Sequence, residues 1–98
     1  MNLQAMMKQA QKMQKDMMEA KKQIDESTFE ITKSFVTITA KGTKKIESIK
    51  IDLENLDKDE IEMVQDLIQV AVNELIDKID SEVESKMGKY TQGMPGLF

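Results

Sequence analysis

Lys8, Lys15 and Lys22 stand seven residues apart, with Lys12 and Lys21 beside them. On an α-helix that spacing brings the three ammonium groups to one face over about 20 Å. A row of this length can meet several phosphates spaced roughly 3.4 Å apart along one nucleic-acid strand. The competing reading is a solvated face, in which Asp16, Glu19 and Asp25 pair at i,i+4 with Lys12, Lys15 and Lys21. Two smaller cationic groups follow: Lys41, Lys44 and Lys45 around a turn, and Lys86 and Lys89 near the end of a later helix.

The rest of the composition removes most other chemistry. Without histidine or cysteine the chain has no imidazole base, no thiolate and no zinc-type ligand set. Gly42, Gly88, Gly93 and Gly96 match no nucleotide-binding loop. The acids Asp52, Glu54, Asp57, Asp59, Glu60 and Glu62 lack the alternating ligands and the glycine of a calcium loop, and helix capping accounts for them better. No pair of carboxyls stands apart from the other surface acids, so no catalytic residue is assigned, and no cofactor, metal or small-molecule substrate is expected. Phe29 and Phe35, the only sheet aromatics, do not make an RNA-stacking platform.

A net charge of −4 would argue against a nucleic-acid partner if it were spread evenly, and it is not. Residues 1–51 carry ten lysines against six acids, while residues 52–86 carry three lysines against twelve acids. All fourteen cations are lysine, a point charge without the planar fork that arginine offers to a guanine edge. Contacts to phosphate should therefore dominate. No apolar run approaches the roughly 18 residues of a membrane span, and Met1 to Ala10 has neither a basic start nor an apolar signal core, so a cytoplasmic protein is expected.

The elements that must position these lysines are legible in the apolar spacing. Leu3, Met6, Ala10, Met13, Met17, Ala20 and Ile24 alternate at three and four residues, which predicts one amphipathic helix over 2–25 with the lysine row opposite the seam. Period-two apolar residues (Phe29, Ile31; Val36, Ile38, Ala40; Ile49, Ile51, Leu53) predict a three-stranded antiparallel sheet within 27–53. Its second hairpin turns at Lys41-Gly42-Thr43-Lys44, where Gly42 is expected to supply positive φ. Asp57 as N-cap, Glu60 three residues on and a Leu56 to Ile61 staple open a second helix. It is predicted to cover 57–87 and to stop at Gly88, leaving open whether it is continuous or kinked into two. Residues 88–98 have the composition of an irregular tail.

The fold class is therefore α+β in one domain over residues 1–98. A helix of some 31 residues is about 46 Å long, whereas a 100-residue globule is only about 34 Å across, so part of it must project. Apolar stripes on both helices exceed what one small sheet covers, and a homodimer would cover the remainder. The bland reading of the methionine seam is core or coiled-coil packing.

The repeats Met6-Met7-Lys8-Gln9 and Lys12-Met13-Gln14-Lys15, the strand Ser48-Ile49-Lys50-Ile51-Asp52, the segment Asp66-Leu67-Ile68-Gln69-Val70-Ala71-Val72-Asn73, and the ending Lys86-Met87-Gly88 through Pro95-Gly96-Leu97 occur in that order along nearly the whole chain. In this the sequence resembles the YbaB/EbfC family of bacterial nucleoid-associated DNA-binding proteins. The resemblance implies a tweezer-like homodimer whose helical arms flank a joined central sheet, binding of double-stranded DNA by the projecting helices, and a place in the nucleoid. Where many members carry several glycines, this chain has Phe29 through Ser34, so a regular first strand is expected.

The leading expectation is a non-enzymatic homodimer that binds duplex DNA mainly through lysine–phosphate contacts from Lys8, Lys12, Lys15, Lys21 and Lys22. Lys41, Lys44, Lys45, Lys86 and Lys89 are secondary, and the role is in nucleoid organisation or gene regulation. The alternative is a protein-interaction module whose methionine-rich helices hold a partner helix. A lipid-surface reading of the first helix is disfavoured by its neutral Gln-rich flanks and the lack of Trp.

Overall fold

The computed structural model describes residues 2–91, in the order α1 (Leu3–Glu26), β1 (Thr28–Lys33), β2 (Val36–Lys41), β3 (Ile46–Ile51) and α2 (Lys58–Thr91). Helix α1 opens at Asn2, whose side chain accepts from the Gln4 amide at 3.0 Å. It closes at Ser27, whose hydroxyl and amide both turn back to the Gln23 carbonyl. α2 opens on the reciprocal cap predicted from sequence: the Glu60 amide donates to Asp57 Oδ1 (3.0 Å) and the Asp57 amide to Glu60 Oε2 (3.4 Å). Leu56 and Ile61 both remain exposed, so the expected staple hides little surface.

The three strands form one antiparallel sheet in the order β1-β2-β3. The register pairs Ile31 with Ile38, Phe29 with Ala40, Ile38 with Ile49 and Val36 with Ile51, placing all of these on one face. A register shift after Thr39 returns Ile46 to that face opposite Ala40. The other face is polar, with hydroxyl pairs Thr32–Thr37 (3.0 Å) and Thr39–Ser48 (2.5 Å) across the strands. α2 lies over β1 and β2 and buries Val36, Ile38 and Ala40 beneath Ala71, Leu75 and Ile79. Fully burying each large aliphatic side chain contributes roughly 1.5–3 kcal/mol. Lys33 to Glu74 (2.8 Å) and the Lys78 ammonium to the Glu30 carbonyl (3.1 Å) fix the helix along β1. On β3, Ile46, Ile49 and Ile51 extend the same apolar face and stay 37%, 48% and 39% exposed.

Beyond the sheet α2 continues as an unbroken helix and packs against α1, where Ile24 and Met87 are buried. The two helices run antiparallel: Lys21 lies beside Asp80 and Val83, and Gln9 to Asp16 beside Lys89 and Tyr90. The molecule is consequently 71 Å long and 21 Å wide, with a radius of gyration of 19.4 Å against about 13 Å for a compact chain of this size.

Two expectations about glycine are corrected. Gly88 does not end α2, which runs to Thr91, so residues 88–91 are helical and only Gln92 to Phe98 of the expected tail lie outside the described residues. Packing of Met87 against α1 outweighs the roughly 1 kcal/mol that glycine costs inside a helix. At the second hairpin the positive φ belongs to Lys44 (71°), and Ser34 (54°) supplies it at the first. Gly42 is needed because the end of α1 presses on the turn: an added Cβ would collide with the backbone carbonyl of Ile24.

These two glycines predict opposite outcomes in urea denaturation. Gly42→Ala should lose about 1–3 kcal/mol by overpacking. Gly88→Ala meets nothing within 4 Å of its new Cβ and should gain up to about 1 kcal/mol. A loss of stability in Gly88→Ala would mean that the helix stops there.

Candidate nucleic-acid interface

The arm formed by α1 against the end of α2 carries the row Lys8, Lys15 and Lys22. Residues 2–15 hold Lys8, Lys12 and Lys15 and no carboxylate, Asp16 being the first acid. The first turn of α1 also has no acid, which leaves the partial positive charge of the helix N-terminus uncompensated. In α2, by contrast, Asp59 and Glu60 occupy the first turn. Charge is thus separated along the long axis: basic at the free end of α1, acidic where α2 begins.

Lys8, Lys12, Lys15 and Lys22 are exposed, and among the described residues none of them forms an ion pair. Of the three helix pairs that a neutralised, solvated face would use, only Lys21–Asp25 forms, at 2.6 Å. Lys8, Lys15 and Lys22 make a continuous row on the side of α1 opposite the seam.

Lys21 does not lie beside that row, as the sequence suggested. It stands one residue, about 100°, from Lys22 and turns inward, where Gly42, Thr43, Lys44, Asp80 and Val83 line a hollow with it. The helix wheel alone places Lys21 on the flank of the seam, and that signal was available. Other secondary candidates are similarly engaged. Lys41 donates to the Glu26 carbonyl (3.2 Å) and to Thr28 Oγ1 (3.0 Å), tying the end of α1 to the sheet. Lys44 pairs with Asp80 at 2.7 Å and Lys86 with Glu82 at 3.0 Å. These exposed pairs are each worth about 0–1 kcal/mol, and they place a carboxylate against each ammonium. Lys45 is exposed, and no partner holds its ammonium among the described residues.

Lys89 comes from α2, yet it sits with Lys12 in one hollow lined also by Gln9, Met13, Asp16 and Tyr90, its ammonium 5.0 Å from the Tyr90 ring centre. Sequence reading missed this juxtaposition, because it depends on α2 running past Gly88 to lie antiparallel to α1. The apolar seam is covered only in part: Ile24 is buried and Met17 and Ala20 half-buried, while Leu3 (70%), Met6 (47%) and Met13 (44%) face solvent.

Among the described residues no group of three or more His, Cys, Asp or Glu could hold a metal ion. No described helix is long and apolar enough to cross a membrane. What the arm offers chemically is a line of mobile ammonium groups about 20 Å long, suited to an extended polyanion.

Comparison with known proteins adds a family. Residues 1–94 match the model of the YbaB/EbfC DNA-binding family. The chain is 43% identical over 98 residues to a nucleoid-associated protein of Enterococcus faecalis, spanning 98% of this chain and 94% of that one. It is 46% identical over 101 residues to a nucleoid-associated protein of Oceanobacillus iheyensis, spanning 99% and 97%. A nucleoid-associated protein of Ruminiclostridium cellulolyticum is 45% identical over 98 residues, spanning 98% and 85%.

The two classes of lysine should separate under limited acylation by an amine-reactive ester. Lys8, Lys15 and Lys22 are expected to react before Lys21, Lys41 and Lys44, as read by peptide mass spectrometry. Equal rates would show that the ion pairs and hydrogen bonds of the second group do not persist in solution.

Proposed function

The chain belongs to the YbaB/EbfC DNA-binding family, a family of DNA-binding proteins and not of enzymes, and from that premise we propose that it is a homodimeric nucleoid protein gripping duplex DNA with its helical arms. The observation that carries this reading is the exposed row Lys8, Lys15, Lys22, none of which forms an ion pair among the described residues, joined by Lys12 and Lys89 on the same arm. Lys45 is a secondary contact, and Lys21, Lys41, Lys44 and Lys86 reach phosphate only by sharing or leaving their present partners. Its place is the nucleoid, hence the cytoplasm, and its role is DNA organisation or gene regulation.

Dimerisation is supported by what α2 leaves uncovered. β3 is an edge strand whose outer backbone groups lack a strand partner, and Ile46, Ile49 and Ile51 carry the core face past the helix. A second copy meeting β3 would bury this strip, join the two sheets and set two arms on one side of the assembly. The acidic starts of α2 then lie away from the arm ends, so the overall negative charge does not prevent binding.

Binding on this account is electrostatic. Each phosphate neutralised releases counterion, and log affinity falls with log salt at about −0.9 per contact. Six contacts, three from each arm, give a loss of roughly a thousandfold between 50 and 200 mM salt.

The exposed seam residues Leu3, Met6 and Met13 favour a second reading, in which the arms hold an apolar partner helix and the lysines only keep the surface wetted. Binding of that kind should survive added salt and show a negative heat-capacity change.

Changing Lys8, Lys15 and Lys22 together to Gln should flatten the salt slope by about five units per dimer while leaving the circular dichroism unchanged. Retention of the full slope would remove the row as the contact surface. Ile49→Asp should convert a sedimenting dimer to a single subunit and weaken binding by at least tenfold. A wild-type protein that sediments as one subunit would refute the two-arm geometry.

A further inference from the structure

The row of lysines is accompanied on α1 by a second row that carries no charge. Gln4, Gln11 and Met18 are also seven residues apart, and each stands four residues before one of Lys8, Lys15 and Lys22. The two rows therefore run side by side on the face away from α2, separated by about 40° of helix rotation. All six residues are exposed, Met18 at 64%. Among the described residues neither the Gln4 nor the Gln11 side-chain amide has a hydrogen-bond partner: outside the helix's own backbone bonds, Gln4 makes only the bond from its backbone amide to the Asn2 cap. Lower on the same face Gln11, Gln14, Lys15, Met18, Glu19 and Lys22 line one shallow depression.

We infer that this uncharged row reads base edges in the major groove, with Gln4 and Gln11 selecting adenine while the lysines beside them hold the phosphates. The inference rests on the reading that the arms bind duplex DNA. A glutamine amide offers a donor and an acceptor in the plane needed to contact adenine N6 and N7 together, a pattern that no other base presents in that groove. Lysine does not match it, and the chain has no arginine to fix on guanine. Helix residues that contact successive base pairs are about three apart, so a spacing of seven places the two glutamines two to three pairs apart. Met18, the third member of the row, offers an apolar surface to a thymine methyl. The acid-free stretch before Asp16 lets Gln4 and Gln11 approach without carboxylate repulsion, whereas Glu19 lies beside Met18. Selection is thus concentrated at the free end of the arm.

Three duplexes of equal length, differing only in whether the central pairs are A·T, G·C or inosine·C, test the assignment by fluorescence anisotropy with the full chain. Inosine·C resembles A·T in the minor groove and G·C in the major groove. The wild type should bind the A·T duplex at least about fivefold more tightly than both others, the lower bound for one good bidentate contact. The double variant Gln4→Ala, Gln11→Ala should bind all three within twofold while keeping the wild-type salt slope. Both sites are exposed and alanine favours the helix, so circular dichroism should not change. Equal affinity of the wild type for all three duplexes overturns the inference and leaves phosphate contact alone. Inosine·C bound like A·T overturns it in favour of the minor groove, and a preference that survives the double variant overturns the assignment to these residues. Absence of binding to every duplex in dilute salt overturns the arm reading itself.

Discussion

The contact between the middle strand and the middle of α2 governs everything else in this molecule. Val36, Ile38 and Ala40 meet Ala71, Leu75 and Ile79 with no solvent between them. This places one half of a 34-residue helix on the sheet and leaves the other half with nothing beneath it. That remaining half then becomes the surface against which α1 packs, through Ile24 and Met87. Because α2 spans β1 and β2 only, β3 keeps its apolar residues and its outer edge available. One packing register thus produces both the projecting arm and the unsatisfied strip.

Separation of charge follows from the same geometry. The acids that cap and start α2 lie at one end of the long axis, and the acid-free start of α1 lies at the other. At physiological salt the screening length is about 8 Å, far less than 71 Å, so the electrostatic potential at the arm is set by the charges nearby and not by the sum of −4. The structure also sorts lysines that look alike in the sequence. Lys41 ties the end of α1 to the sheet, Lys44 ties the hairpin to α2 and Lys21 pairs with Asp25, whereas among the described residues Lys8, Lys15 and Lys22 form no ion pair.

Local pattern determined what was legible from sequence. The seam, the period-two strands, the Asp57–Glu60 cap and the regular first strand were all readable, because each depends on residues within a few positions of one another. What depended on distant partners was not. Gly88 looks like a helix stop until Met87 is seen packed against α1. Gly42 looks like a conformational need until the Ile24 carbonyl is seen to press on it. Lys44 and Asp80 are thirty-six residues apart and Lys12 and Lys89 seventy-seven, distances that no periodicity reports. The row Lys8, Lys15, Lys22 was legible as geometry, but that Lys15 forms no ion pair with Glu19 among the described residues appears only in the fold.

Continuity of α2 through Gly88 makes it a single stiff beam whose middle is seated on the sheet and whose last turns project beyond it. With about 1.5 Å of rise per residue, the 12 residues beyond Ile79 reach roughly 18 Å past the core, so a rocking of about 5° there moves the far end by roughly 1.6 Å. That travel is about half the distance from one phosphate to the next along a strand, about 3.4 Å. Gly88 itself, as the softest point of the beam, lies close to that far end, where bending alters the sweep least. The position of the arm end is therefore tuned at the sheet, by the side chains that seat the helix, and not at the surface that would touch a ligand.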